Sequence, residues 1–171
     1  MRAIARAVCD ERSHVGDTTE PVRLLGVGAY LPARVMTNDD WCALIDTSDE
    51  WIVSRTGIRR RRIAADHEST ADLAVAAARS ALDNAGFSAG AIDEIIVATD
   101  TPEVYVPDTA CFVQHRIGAR TVPAYTLGGS GCAGFLQGLD IARSRVRCGV
   151  GFALVVGVEV LWRQLNRSRI A

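Results

Sequence analysis

Apolar positions along this chain fall into short continuous runs separated by longer stretches with helical spacing. Residues 23–31 (RLLGVGAYL) form a brief apolar run closed by Pro32, which has no N–H to give to a ladder, and predict a strand. Residues 95–99 (IIVAT), 123–127 (PAYTL) and 151–158 (GFALVVGV) are bounded by polar or glycine-rich segments and predict buried strands. Between them the period changes. Ser69 or Thr70 opens a predicted helix with Leu73, Ala77 and Leu82 on one face and a stop at Gly86. Asp108 caps a second helix that ends at Gly118, and a third covers 132–147 after a glycine-rich turn. Earlier, Asn38 is placed as the cap of a short helix reaching Ile45, and residues 47–50 (TSDE) as the cap of a further helical turn over 51–54.

Strands alternating with helices of this length imply βαβ units, so the fold class is α/β, with a mainly parallel sheet and flanking helices. No internal repeat and no low-complexity linker divides the chain, which favours one compact system of layers. The 171 residues are 49% hydrophobic, enough for a real core. Nineteen basic and twenty acidic residues give a net charge of −1, which excludes binding of nucleic acid or anionic membrane by bulk charge. The longest apolar stretches fall far short of the ~20 residues that span a bilayer, so no membrane partner is expected. Five cysteines, Cys9, Cys42, Cys111, Cys132 and Cys148, include no C-x-x-C pair, and no secretory signal precedes them. The expectation is a chain without a metal site, in a reducing cytoplasm. Residues 1–21 read as a loose N-terminal extension.

Chemistry concentrates at residues 125–135 (YTLGGSGCAGF): a strand, a tight glycine turn and a helix start. Three readings compete for it. Gly129, Gly131 and Gly134 fit the G-x-G-x-x-G of a dinucleotide-binding turn, with Glu159 after the next strand placed to hold a ribose. Ser130 suggests a G-x-S-x-G nucleophile elbow, but Cys132 stands where its last glycine belongs, and no Ser-Asp-His order follows. The third reading makes Cys132 the nucleophile. A thiol at a helix start meets unpaired backbone N–H groups and the positive dipole end, which favour the thiolate, and a backbone N–H there can donate to a developing oxyanion. Beside these stands a plain packing role, a small cysteine filling a helix–strand contact.

Residues 46–59 (DTSDEWIVSRTGIR), together with 132–135 (CAGF) and 154–159 (LVVGVE), closely resemble β-ketoacyl-acyl carrier protein synthase III, and the resemblance extends in the same order over roughly residues 22–165. It implies a thiolase-like fold and an acyltransferase of fatty acid or polyketide biosynthesis. In that family a cysteine accepts an acyl group from coenzyme A and passes it to malonyl-acyl carrier protein by decarboxylative condensation. Cys132 matches the acyl-accepting cysteine. Trp51, Arg55 and Thr56 match the coenzyme A entrance, with Thr47 on the same wall; an indole there stacks on adenine and a guanidinium meets phosphate or ring. Val106 matches a position that reaches into a partner subunit's acyl pocket. Acyl-coenzyme A is thus the implied substrate, with no separate cofactor, and acyl carrier protein the implied partner. The arginine run 59–62 is a candidate contact for that acidic partner, set against its plainer reading as a solvated face. Trp51 and Arg55 likewise have plain readings, as a core aromatic and a surface charge.

Two departures qualify the resemblance. Thr126 and the run 128–131 (GGSG) stand where the family usually carries an aspartate and small residues, which predicts a looser turn and leaves open acyl transfer to a small molecule. The family's second half supplies a histidine and an asparagine, and His14, His67 and His115 match neither position. Residues 22–171 are therefore expected to be an N-terminal half, truncated before the C-terminal half; a family arginine that contacts coenzyme A lies near this point, and the resemblance ends before it ranks Arg163, Arg167 or Arg169 for that position. Such a chain is expected to do little condensation alone, and to form a homodimer or pair with a complementary half. Two other classes stay in view: a non-catalytic or split-enzyme partner subunit, and a dinucleotide-binding module.

Overall fold

The computed structural model describes residues 21–163. All but one residue of the expected extension over 1–21, and Arg167 and Arg169, lie outside the described residues. Three parallel strands form the centre: β3 (Glu94–Ala98), flanked by β4 (Ala124–Leu127) and β5 (Ala153–Gly157) in the order β4-β3-β5. Ile96 is in register with Tyr125 on one side and Val155 on the other. All five residues of β3 are buried, as a central strand covered on both faces requires. The period of two sorts its side chains. Ile95 and Val97, with Leu154 and Val156 of β5, pack with Ala74, Val75 and Ala78 of α3 (Thr70–Ala85) and with Ala110 and Val113 of α4 (Thr109–Ile117). On the opposite face lies α5 (Gly134–Arg147), where a Cβ at Gly138 would sit 2.9 Å from Val155 Cγ1. Each fully buried aliphatic side chain contributes about 1.5–3 kcal/mol, so this three-layer arrangement is the main source of stability.

The three central strands and the helices between them follow the sequence reading in position, but only β3 is fully buried: β4 is half-buried along its length and β5 buries only Leu154 and Val156. Ser69 caps α3 through a reciprocal pair with Asp72, and Gly86 ends it in the left-handed conformation (φ 61°). Ser48 Oγ accepts the Trp51 N–H at 3.1 Å to start α2 (Asp49–Thr56). Asp108 occupies the cap position of α4, but its carboxylate accepts the Thr126 N–H of β4 at 3.2 Å instead of a helix amide.

Two expectations need correction, and one element is unexpected. Residues 23–31 form no strand. They run against α3: a Cβ at Gly28 would lie 2.1 Å from Ala81 N, one at Gly26 2.7 Å from Ala81 O, and the Val27 N–H bonds Asn84 Oδ1 at 3.0 Å. The glycines let this backbone lie against α3 while Leu24, Leu25, Val27 and Leu31 stay exposed, and among the described residues the run has no ladder partner. Asn38 is not a cap. Thr37 caps α1 (Asn38–Cys42), while buried Asn38 donates to Asp49 Oδ1 at 2.7 Å and to the Ile58 carbonyl at 2.8 Å, tying α1 to α2. Finally, an antiparallel ribbon that the pattern does not suggest pairs β1 (Arg34–Thr37) with β2 (Arg60–Ile63). Among the described residues antiparallel pairing is confined to this ribbon, and the central sheet is parallel throughout.

One buried charge holds the base of the sheet. Glu94 is 1% exposed, and its carboxylate accepts the Tyr125 hydroxyl at 2.7 Å and Arg145 Nε at 2.9 Å. Burial, followed by the neighbouring Glu94 carboxylate, pushes the Tyr125 phenol up to about 12 from its ordinary 10.0. The folded chain thus holds this proton more tightly than the unfolded chain. Its contribution to stability is fully present below pH 10.0 and is lost as pH rises toward about 12. Denaturant unfolding measured across that window should show stability falling with pH, and Tyr125→Phe should flatten the fall.

Candidate functional site

The carboxyl ends of the three parallel strands open on one edge, where ligands of open α/β sheets bind. The Thr99 N–H bonds the Leu127 carbonyl at 3.0 Å and the Val158 N–H bonds the Ala98 carbonyl at 3.0 Å, so the three strands leave the sheet in step. After β4 the chain turns through Gly129 (φ 73°) and Gly131 (φ 53°), left-handed conformations that side chains other than glycine rarely take. Cys132 follows in a 3₁₀ turn, Gly131–Ala133, and is exposed. The α-helix begins at Gly134, where a Cβ would approach Ala98 Cβ to 3.2 Å. Helix α5 thus starts two residues later than the sequence reading. Cys132 stands in the tight turn that leads into the helix, because the left-handed glycines complete the reversal before α-helical geometry is possible.

Asp100, two residues past the end of β3, reaches across to this turn. Its Oδ1 accepts the Gly129 N–H and its Oδ2 accepts the Gly131 N–H at 2.7 Å. The Ala133 N–H is spent on the Ser130 carbonyl and the Gly134 N–H on that of Gly131. Glu159 Oε1 in turn accepts the Asp100 N–H at 2.8 Å, and its Oε2 accepts the Thr101 hydroxyl at 3.0 Å. The amides expected to cradle a pyrophosphate and the carboxylate expected to hold a ribose therefore have internal partners, which removes the support for the dinucleotide reading. Ser130 Oγ bonds Gln137 Oε1 at 2.6 Å, consistent with the failed serine elbow. The sequence reading missed Asp100. Its signal was an acidic residue just beyond a buried strand, in TDT at 99–101.

The other expected site residues occupy two separate places. Trp51 and Arg55 come together on α2, with the Arg55 guanidinium 5.9 Å from the indole centre. Trp51 is 58% exposed, so it is no core aromatic. Thr56 Oγ1 donates to the Ile52 carbonyl at 2.7 Å and accepts the Ile58 N–H at 3.1 Å, an assignment that helps to end the helix. Thr47 is half-buried immediately before the Ser48 cap. Val106 is 85% exposed in the loop between β3 and α4, beside Tyr105 at 91%.

The arginine run is largely engaged within the chain. Arg61 donates to Asn38 Oδ1 at 3.1 Å and lies over Trp41, 5.3 Å from the ring centre. Arg62 donates to the Pro32 and Ala33 carbonyls at 3.1 and 3.3 Å. Arg59 and Arg60 remain exposed. Arg163 fastens the carbonyls of Ala65 and Glu68, and Trp162 rests against Trp41 at 5.7 Å, so this arginine staples the loop before α3. Among the described residues no cluster of three His, Cys, Asp or Glu side chains suits a metal ion, and no helix is long and apolar enough to cross a membrane.

No protein-family model matches the chain. The β-ketoacyl-acyl-carrier-protein synthase III of Thiobacillus denitrificans is 50% identical over 143 residues, covering 82% of this chain and 44% of that protein. The enzyme of the same name from Ehrlichia canis is 46% identical over 144 residues, 84% of this chain and 45% of that one. Among solved structures, 3-oxoacyl-acyl-carrier-protein synthase III from Aquifex aeolicus superposes with a TM-score of 0.78 at 42% identity, over 84% of this chain and 46% of that one. The priming β-ketosynthase of the R1128 polyketide pathway gives 0.77 at 41%, over 81% and 42%. The chain spans about half the length of the curated relatives it matches.

Proposed function

The chain is homologous to the N-terminal half of the β-ketoacyl-acyl carrier protein synthase III family and has its thiolase-like α/β fold, and from that premise we propose that Cys132 accepts an acyl group from acyl-coenzyme A. The observation that carries this reading is the placement of an exposed thiol in a fixed turn at the carboxyl edge of the parallel sheet. Cys132 Sγ, as thiolate, attacks the thioester carbonyl. The bond from carbon to the coenzyme A sulfur breaks, coenzyme A leaves as a thiol after taking a proton, and a new thioester joins the acyl group to Cys132. Neighbouring amides are committed within the turn, which leaves the Cys132 N–H as the donor we assign to the transient oxyanion.

Condensation is the second step. Malonyl-acyl carrier protein loses carbon dioxide, its carbanion attacks the acyl carbonyl, and Cys132 is released as thiolate. His67 lies in the loop before α3 and His115 in the last turn of α4, and neither belongs to the Cys132 turn. We assign the decarboxylating groups to a complementary half and expect condensation only in its presence. Val104, Tyr105 and Val106, in the loop leaving β3, and Phe135 and Leu136, beside Cys132, are exposed apolar positions suited to such a covering surface or to a second copy of the chain. Exposed Arg59 and Arg60 are the part of the arginine run left for the acidic acyl carrier protein. Acyl-coenzyme A enters as substrate, and the acyl-transfer step needs no further cofactor. A reducing cytoplasm suits a free thiol nucleophile.

Release of free coenzyme A on mixing the chain with acetyl-coenzyme A tests the reading. At most one equivalent per chain is expected, and none would refute it. Adenine stacking on Trp51 is worth about 1–3 kcal/mol by comparison with other base–aromatic stacks. Trp51→Ala should accordingly weaken coenzyme A binding roughly five- to 150-fold in a calorimetric titration.

A further inference from the structure

We propose that Asp100 is a positioning residue for the acyl-transfer step, acting through the Cys132 turn; this inference rests on the acyl-acceptor reading of Cys132. Residues 128–131 (GGSG) place three glycines in the four positions before the nucleophile, and by themselves they leave the turn free to sample many conformations. The Asp100 carboxylate spans that freedom. One oxygen holds the Gly129 N–H and the other the Gly131 N–H, the two residues with positive φ that set the direction in which Cys132 leaves the sheet. Hydrogen bonds to an ionised acceptor are about twice as strong as neutral ones, so the clamp is stiff for its size.

Asp100 is itself held from two directions. It follows the completely buried strand β3, and its N–H is fixed by Glu159 Oε1 from the end of β5. The Thr101 hydroxyl donates to the other oxygen of Glu159 and accepts the Val160 N–H at 2.8 Å. The nucleophile turn after β4 is thus referenced to the ends of both other strands through one carboxylate. A flexible glycine turn becomes an ordered one without a bulky side chain near the thiol, which keeps the approach to Cys132 open. A Cβ added at Gly129 or Gly131 would meet nothing within 4 Å, so the positions are open on that side and the hydrogen bonds to Asp100 are what tie the turn down.

The experiment compares wild type, Asp100→Asn and Asp100→Ala in three measurements on the full chain. The first is the acetylation rate of the thiol at saturating acetyl-coenzyme A, with the half-saturating concentration read from the same data. Misplacing a reacting group by about 1 Å costs up to about a hundredfold, so roughly a ten- to hundredfold fall in the saturating rate is expected, larger for alanine than for asparagine, with half-saturation unchanged. The second is the pair of amide proton resonances of Gly129 and Gly131, which should both move when the carboxylate is removed. The third is alkylation of Cys132 by iodoacetamide, which should also slow. Unchanged glycine resonances, or wild-type rates in both variants, would overturn the proposal. A variant whose loss of rate is matched by general unfolding in circular dichroism would also count against positioning. If wild type itself takes no acetyl group, the acyl-acceptor reading fails separately, and the resonances and alkylation rates still decide whether Asp100 orders the turn.

Discussion

Cys132→Ala will reduce acylation of this chain by acetyl-coenzyme A by roughly a hundredfold or more, whereas Cys111→Ala and Cys148→Ala will leave it unchanged. Exposure does not distinguish these thiols, since all three are exposed. Position does. Cys132 stands where three parallel strands end, in a turn whose amides at Gly129 and Gly131 are fixed by Asp100 and whose next residues open α5. Cys111 lies on α4 and Cys148 at the end of α5, away from any such turn. Because the Cys132 side chain is exposed, alanine removes little packing, and thermal unfolding should shift by no more than about 0.5 kcal/mol in free energy. The pairing of lost acylation with kept stability separates a nucleophile from a packing cysteine. Intact-mass spectrometry after a timed incubation reads the first, and a thermal scan the second.

Gly28→Val should have the largest effect on stability. A Cβ at Gly28 meets the backbone of α3 on several sides, 2.1 Å from Ala81 N, 2.6 Å from the Ser80 carbonyl carbon and 2.7 Å from Ala77 O. Helix backbone cannot rotate aside as a flexible side chain can. The segment must lift off α3, giving up the bond from the Val27 N–H to Asn84. Overpacking of this kind costs about 1–3 kcal/mol and sometimes more. Hydrogen exchange should show the Val27 amide losing protection. Gly90→Ala is the control, since its new Cβ would touch only Ser88 Oγ at 3.6 Å, and it should change stability by no more than about 0.5 kcal/mol.

That same glycine shows where sequence reasoning reached its limit. The run 23–31 has the apolar density of a strand, but glycine inside such a run also marks a close approach of another backbone, which is its meaning here. Strands β3, β4 and β5 were legible because each is a short apolar run with polar or glycine flanks, and the ends of α3 because Ser69, Asp72 and Gly86 are local signals that tertiary contacts did not override. The β1–β2 ribbon was hidden by its own composition. Three arginines in β2 mask the alternation, and only in the fold does Arg61 turn in to Asn38 and Trp41 while Arg60 stays exposed. At the site, Cys132 is singled out only through the resemblance of longer motifs, since its local sequence alone favours a small packing cysteine. Asp100 was not. It lies 32 positions before Cys132 in the sequence, and its role depends on β3 being the central strand of the sheet, with β4 beside it.

The role of Cys132 is tested most directly by where the acyl group goes. After incubation with acetyl-coenzyme A, proteolytic fragments of the chain can be sequenced by mass spectrometry, with and without hydroxylamine to cleave thioesters. A single acetyl group, released by hydroxylamine, is expected on the fragment that carries Cys132. An acetyl group on Cys111, Cys148 or the N-terminal amine instead, or none on any fragment, would contradict that role.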